Sequence, residues 1–128
     1  MASEKRLIST GSAFEMTMGY SRAVVQGDWC FVSGVTGYDY ATMEMPVFVA
    51  DQARNCFATI SSVLEEAGFG LKDSVRVQYT VTDSALVDEL VPALGEALGD
   101  IRPAATMVIA GLIRPEMKIE IEVTAFKG

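Results

Sequence analysis

The sequence contains no histidine, and this absence excludes more chemistry than any other feature of its composition. Without histidine, the usual Ser-His-Asp and Cys-His catalytic arrangements cannot be built. Histidine is also the commonest metal ligand, and only two cysteines are present, so a zinc site of the usual kind is excluded. We therefore expect no metal and no cofactor. Proton transfer has to use Asp, Glu, Tyr, Lys, Cys, a chain terminus or water.

Three further scarcities restrict the class of protein. Cys30 and Cys56 do not make a disulfide framework, which favours reduced thiols and a cytoplasmic location. No apolar run reaches the ~18 residues of a membrane span, and no apolar segment follows the N-terminal charges as in a secretory signal. We therefore expect no membrane partner. Basic residues are scattered singly in a chain of net charge -7, which disfavours nucleic-acid binding.

The hydrophobic pattern predicts an α+β fold in a single domain of residues 1–128. The predicted element order is β-β-β-α-β-α-β-β, with the two helices on one face of a mixed sheet. Pro92 predicts a kink or a broken first half in the second helix. The predicted strands are Arg6–Ser9, Ser21–Gln26, Trp29–Val35, Ser74–Val81, Ala104–Gly111 and Met117–Phe126, and the predicted helices are Val49–Ala67 and a segment capped by Asp83-Ser84 that runs to about Leu98.

Two of the predicted strands are apolar on both faces. Trp29 and Phe31 alternate with Cys30 and Val32, and the fifth strand has the same character. Strands of this kind need cover on both faces, and two helices cover only one. We therefore predict a homo-oligomer in which a partner subunit covers the other face. The alternative is that the connection 37–46 folds over it.

Charged residues near the C-terminal strands are the first candidates for chemistry. Glu120 and Glu122 share one face of the last strand, and burial of one carboxyl group would suit it to acid–base work. The alternative is a solvated strand face. Arg102 and Arg114 flank the fifth strand and could bind a carboxylate through a bidentate contact, or could be solvated loop arginines.

Polar residues around the second and third strands form a second group of candidates. Ser33 and Gly34 end the third strand, where a hydroxyl and backbone N–H groups could face a ligand, although glycine turns alone would give the same pattern. Tyr20 lies just before the second strand and could close the mouth of a pocket or pack as a structural residue. No dinucleotide or phosphate-binding glycine motif is present.

Several short motifs in the same order and spacing resemble the RidA superfamily, also known as YjgF or L-PSP endoribonuclease. The resemblance implies a chorismate-mutase-like fold and a homotrimer whose sheets form a central barrel with three clefts between subunits. It also implies hydrolysis of 2-imino and enamino acids to 2-oxo acids and ammonia. The motifs are Gly19-Tyr20-Ser21-Arg22-Ala23-Val24, Phe31-Val32-Ser33-Gly34, Gln52-Ala53, Val63-Leu64, Ala67-Gly68, Arg102-Pro103-Ala104 and Lys118-Ile119-Glu120-Ile121-Glu122.

The resemblance also assigns roles to individual residues. It implies that Glu120 positions the attacking water and that Tyr20 and Ser33 line the cleft. The family's arginine that grips the substrate carboxylate falls on Ala105, and a methyl group cannot bind a carboxylate. Met107 makes the wall formed by the fifth strand more apolar, and Val91 stands where an asparagine is usual.

These departures leave three hypotheses. The first is a RidA-like homotrimer that binds a small metabolite between subunits, with divergent or absent deaminase activity. The second is an active imine or enamine hydrolase in which Glu120 orients water and Arg102 or Arg114 substitutes for the missing arginine. The third is a non-enzymatic binding or chaperone-like trimer.

Overall fold

A six-stranded mixed sheet forms the centre of the computed structural model, which describes residues 5–128. Its strands are β1 Arg6–Ile8, β2 Ala23–Gln26, β3 Trp29–Thr36, β4 Ser74–Val81, β5 Ala104–Ile109 and β6 Ile119–Phe126. Their spatial order is β1-β2-β3-β6-β4-β5, and within the described residues only β4 and β5 pair in parallel. The long β6 therefore lies between β3 and β4.

In the part of the chain that the structure describes, three α-helices accompany this sheet: α1 Ala13–Met18, α2 Val49–Glu66 and α3 Val87–Leu98. Short 3-10 turns at Leu71–Asp73 and Ser84–Leu86 precede β4 and α3. The apolar stripes of α2 and α3 pack on one face of the sheet and form the core with it. None of the helices in residues 5–128 combines the length and apolar character that a bilayer-spanning helix requires.

The predicted element order was wrong in one place, because it lacked α1. The helix has six residues, too few to show a repeating apolar stripe. It begins where the Ser12 side chain accepts a hydrogen bond from the Phe14 N–H, and it ends at Gly19, whose φ is 72°. Pro92 does not end α3. The break lies earlier, between the 3-10 turn Ser84–Leu86 and the continuous helix that follows it.

The predicted alternation of β6 is confirmed, since Ile119, Ile121, Val123 and Ala125 are all buried against the helices. The alternation predicted for β4 is confirmed only from Val77 onward. Val75 is exposed and Ser74 is buried, the reverse of the prediction. The pairing of β4 with β6 shifts register between Ser74 and Arg76, and a shift of one residue moves side chains to the opposite face.

The sheet face opposite α2 and α3 carries an exposed aromatic cluster of Trp29, Phe31 and Phe126. The Trp29 ring lies 6.2 Å from the Phe31 ring and 4.5 Å from the Phe126 ring, measured between centroids. Trp29 and Phe31 are 42% and 47% exposed. We call this surface the open face.

The connection 37–46 does not cover the open face, so that alternative was wrong. The connection packs on the helix side, where the Asn55 side chain donates a 3.0 Å hydrogen bond to the Gly37 carbonyl. Tyr38 is buried there, and its hydroxyl donates to the Glu116 carboxylate. Burial and this hydrogen bond raise the pKa of Tyr38 to about 12.

Candidate functional site

A bulge in β3 shapes the centre of the candidate site. Val32 pairs with Val123 and Val35 pairs with Ile121, so β3 contains one residue more than β6 between these pairs. Ser33 and Gly34 occupy the bulge. Ser33 is held by two 2.9 Å hydrogen bonds, which its backbone N–H and its hydroxyl both donate to the Arg22 carbonyl.

A cavity of about 260 Å³ lies over this bulge, and we call it the Glu120 cavity. It brings together four residues that the sequence singled out as site candidates, namely Tyr20, Ser33, Gly34 and Glu120. These residues come from three separate parts of the chain. The rest of the wall is formed by Phe14, Met18, Arg22, Thr36, Tyr40, Ile113 and Met117.

Glu120 is the carboxyl group of this cavity. It lies on β6 between Thr36 of β3 and Thr80 of β4, and it is partly buried. Burial raises its pKa and the nearby Glu122 carboxylate adds to the rise, while the Arg22 charge acts in the opposite direction. A carboxyl group whose neutral form is favoured in this way is suited to exchange a proton with a ligand or with a bound water.

Arg22 is the basic residue of the cavity and was not among the predicted site residues. Its side chain is only 1% exposed, and its Nη1 donates to the Gly34 carbonyl at 2.7 Å and to the Ser33 hydroxyl at 3.3 Å. The guanidinium carbon lies 5.2 Å from the ring centroid of Tyr40 and 5.8 Å from that of Tyr20. Sequence reasoning noted Arg22 only within a family motif, because an arginine at a strand start is usually solvated.

Tyr20 is the phenol of the cavity, and its electrostatic surroundings are mixed. Burial raises its pKa, and Tyr40 and Glu15 act in the same direction. The Arg22 charge and a side-chain contact with Arg22 act against this rise. A phenol that stays protonated can donate a hydrogen bond to a ligand.

Ala105 and Arg102 lie in a different place, a crevice of about 400 Å³ between α3 and β5 that we call the Ala105 crevice. Val91 lines the same crevice. Within one chain, Ala105 and Arg102 are therefore not brought together with Glu120. Arg102 has a φ of 57°, an uncommon conformation for a residue other than glycine.

The two remaining predicted site residues have other surroundings. Met107 lines neither the Glu120 cavity nor the Ala105 crevice, and it packs partly buried against the core. Arg114 does not line the Glu120 cavity, but its guanidinium carbon is 5.1 Å from the ring centroid of Phe14, which does. No group of three or more His, Cys, Asp or Glu side chains within residues 5–128 is arranged to hold a metal ion.

Gln52 holds in place the two chain segments that lead to the site. Its side-chain nitrogen donates to the Pro46 carbonyl at 2.8 Å and to the Glu116 carbonyl at 3.1 Å, and its side-chain oxygen accepts from the Lys118 N–H at 2.9 Å. Gln52 is fully buried on α2. It therefore ties the connection 37–46 and the segment that leads to Glu120 to the helix layer.

The fold and the cavity define an α+β protein in which a mixed sheet carries a partly buried carboxyl group beside a glycine bulge. The family described as Endoribonuclease L-PSP matches residues 10–127, and the chain belongs to this family, within the RidA/YjgF superfamily. The resemblance found in the sequence is thereby confirmed.

Individual relatives agree with this assignment. The crystal structure of Rv2704 from Mycobacterium tuberculosis, a member of the YjgF/YER057c/UK114 family, has a TM-score of 0.88 and 36% identity, and covers 97% of this chain and 100% of that one. A RutC family protein of Leuconostoc mesenteroides is 30% identical over 96% of this chain and 98% of its own length. A 2-iminobutanoate/2-iminopropanoate deaminase of Dermatophagoides farinae is 28% identical, with 94% of each chain covered.

Proposed function

We propose that this protein is a homotrimer that binds a small metabolite in clefts between its subunits. We further propose that its 2-imino acid deaminase activity is divergent or absent, because Ala105 replaces the arginine expected to hold a substrate carboxylate. The observation that carries the proposal is the separation of the site into the Glu120 cavity and the Ala105 crevice. Each is an incomplete site within one chain, and juxtaposed subunits would complete it.

The open face supports an assembly of this kind. Trp29, Phe31 and Phe126 form a contiguous aromatic surface that nothing in residues 5–128 covers. A surface of this kind on a soluble chain is characteristic of a subunit interface. The cover that the two-sided apolar strands require is then a second copy of the chain.

The Glu120 cavity is better suited to a small metabolite than to RNA, although the family description contains the word endoribonuclease. RNA binding relies on basic surfaces that neutralise phosphates, and this chain has a net charge of -7. The cavity itself, at about 260 Å³, is small and lined by side chains from several elements. A compact ligand fits these dimensions.

An active hydrolase is the second candidate function, and one observation favours it. Arg102 lines the same crevice as Ala105, the position at which the family's arginine is missing. In this alternative Arg102 anchors the substrate carboxylate and Glu120 orients the attacking water.

A deaminase assay separates the two candidates. An amino-acid oxidase generates a 2-imino acid in situ, and release of the 2-oxo acid is followed with the wild-type chain and with Glu120→Ala. We expect a wild-type rate close to that of the buffer blank. A clear wild-type rate that is lost in Glu120→Ala would overturn the proposal in favour of the hydrolase. A thermal-shift screen of small metabolites tests the binding function itself, since a ligand of the folded state raises Tm.

A further inference from the structure

Arg22 carries a buried positive charge without a counter-ion, which is unusual in a folded protein. The ion pairs formed within residues 5–128 involve Arg54 with Asp51 and Glu96, and none involves Arg22. The Nε atom of Arg22 is buried and has no hydrogen-bond partner. Buried charges are normally paired and buried donors are normally satisfied, so this side chain requires an explanation.

Arg22 lines the Glu120 cavity, so the side chain that carries the unsatisfied Nε–H is part of the cavity wall. Nη1 is occupied by the Gly34 carbonyl and the Ser33 hydroxyl, and the rings of Tyr20 and Tyr40 lie against the guanidinium. A guanidinium has five N–H donors in a fixed plane, and one of its edges matches the two oxygens of a carboxylate. The Nε–H of Arg22 belongs to such an edge.

The carboxyl groups near Arg22 make their contacts with other parts of the protein. Glu15 accepts hydrogen bonds from the Thr10 N–H, the Thr10 hydroxyl and the backbone N–H of Arg22, not from its guanidinium. The Glu120 carboxyl group packs against Gly34. Both groups sense the Arg22 charge through space, yet neither forms an ion pair with it.

We propose that Arg22 is the anion-binding residue of the Glu120 cavity and that the ligand is a small monocarboxylate. This inference rests on the proposed function, because it names the ligand class and one contact of the same cleft. The ligand carboxylate supplies the counter-ion that Arg22 lacks, so an arginine at position 105 is not needed for binding. The polar group at the other end of the ligand then faces Glu120 within a cavity of about 260 Å³.

Pyruvate and pyruvamide are suitable probes, since they have nearly the same shape and differ in charge. The full-length chain, labelled with ¹⁵N, is titrated with each probe, and the side-chain Nε–H signals of its arginines are followed by NMR. The Arg22 signal is assigned by its absence from Arg22→Lys. We expect pyruvate to shift this signal and pyruvamide to bind more weakly by roughly tenfold to a hundredfold, the range for a hydrogen bond to a charged group.

Two variants and one control separate charge recognition from structural support. Arg22→Gln should lose the preference for pyruvate, while Arg22→Lys, which keeps the charge without the planar fork, should retain part of it. Arg54→Gln is the matched control, because it removes an exposed arginine of α2 whose ion pairs lie outside the cavity. If Arg22→Gln fails to fold, as judged by circular dichroism, the wild-type titration and Arg22→Lys still decide the question.

The possible outcomes distinguish this inference from the proposed function. Equal binding of both probes, or an Arg22 signal that does not move at saturating pyruvate, overturns the role of Arg22 and leaves the small-molecule cleft in place. Binding of another metabolite class without binding of pyruvate would likewise overturn the role of Arg22 and leave the small-molecule cleft in place. If neither pyruvate nor pyruvamide binds in the NMR titration, and no metabolite raises Tm in the thermal-shift screen, the proposed function is overturned as well.

Discussion

The carboxyl group of Glu120 occupies the space that a Cβ atom on Gly34 would need. A Cβ built on Gly34 would lie 2.5 Å from the Cδ atom of Glu120 and 2.7 Å from its Oε1 atom. Real Cβ atoms do not approach other heavy atoms this closely, so the absence of a side chain at position 34 is what allows Glu120 to rest on the bulge. The bulge of β3 and the carboxyl group of β6 are therefore one structural unit.

Replacing Gly34 by Ala should displace Glu120 while the fold is retained. The atoms that the new methyl group meets are at the mobile end of a side chain, so the carboxyl group can move at a cost of about 1–3 kcal/mol. In the background of Glu120→Ala the clash is absent and the cost should largely disappear. Urea denaturation of the two single variants and the double variant measures this coupling.

Gly111→Ala is the control for the double-mutant cycle, because a Cβ there meets nothing within 4 Å. Gly111→Ala should change the free energy of unfolding by the same amount in the wild-type and Glu120→Ala backgrounds. An equal cost of Gly34→Ala in both backgrounds would show that the two residues are not coupled.

Gln52→Met should destabilise the protein strongly, although the substitution hardly changes the volume of the side chain. Methionine fills nearly the same volume but leaves the Pro46 and Glu116 carbonyls and the Lys118 N–H without their side-chain partner. We expect a loss of about 2–4 kcal/mol in the free energy of unfolding. Asn55→Ala, which removes one hydrogen bond to Gly37 in the same region, should cost about 1 kcal/mol. Chemical denaturation of both variants is the measurement, and equal losses would contradict the bridging role of Gln52.

The strands and helices with long, regular patterns were predictable from the sequence. The bounds predicted for β4 match the structure, α2 begins at Val49 as predicted, and the buried residues of β6 follow strict alternation. The inversion of Val75 and Ser74 could not be predicted, because it depends on the register between β4 and β6. Pairing between strands distant in sequence leaves no signature in either strand alone.

The candidate site was predictable in its acidic part and not in its basic part. Glu120, Tyr20, Ser33 and Gly34 were candidates from their positions in the predicted strands, and the family resemblance then implied roles for the first three. The structure gathers all four in one cavity. The burial of Arg22 depends on two tyrosine rings and on the bulge carbonyl, which come from distant positions in the sequence. Local polarity patterns treat such an arginine as solvated, so its burial is evident only from the tertiary structure.

Glu120→Gln should make the protein more stable at neutral pH. Burial raises the pKa of Glu120 above its ordinary value of about 4.3, so ionisation above that pH favours the unfolded state. Below it the carboxyl group is neutral in both states, and no cost remains. The stability gain of the variant should therefore be present at pH 7 and should shrink as the pH falls towards 4, in urea denaturation at fixed protein concentration.

Glu65→Gln serves as the control for the loss of one negative charge, because Glu65 is exposed on α2. Its effect should vary less with pH than that of Glu120→Gln. A difference between Glu120→Gln and wild type that stays constant from pH 4 to pH 7 would contradict the link between burial and ionisation.

Phe31→Asp should dissociate the proposed trimer without unfolding the subunit. Phe31 is 47% exposed on the open face and stacks on Trp29, so a charge there is tolerated by a monomer but not by a covered interface. Multi-angle light scattering should give the mass of a trimer for wild type and that of a single chain for the variant. Val47→Asp is the control, since Val47 is an exposed apolar residue just before α2 and should leave the mass unchanged. A monomeric wild type would remove the shared cleft altogether.

Ala105→Arg should introduce or increase hydrolysis of 2-imino acids. Ala105 is exposed at the Ala105 crevice, so a longer side chain can extend into it without overpacking the core. A guanidinium there would pull the substrate carboxylate across the cleft, away from Arg22, and would leave the imine carbon beside Glu120. We expect the rate of 2-oxo acid release to rise by about tenfold or more, which corresponds to one charge-assisted contact. Ala104→Arg is the matched control, because consecutive residues of β5 point to opposite faces of the sheet. If both variants hydrolyse no faster than wild type while the trimer stays intact, the missing arginine is not what limits the activity.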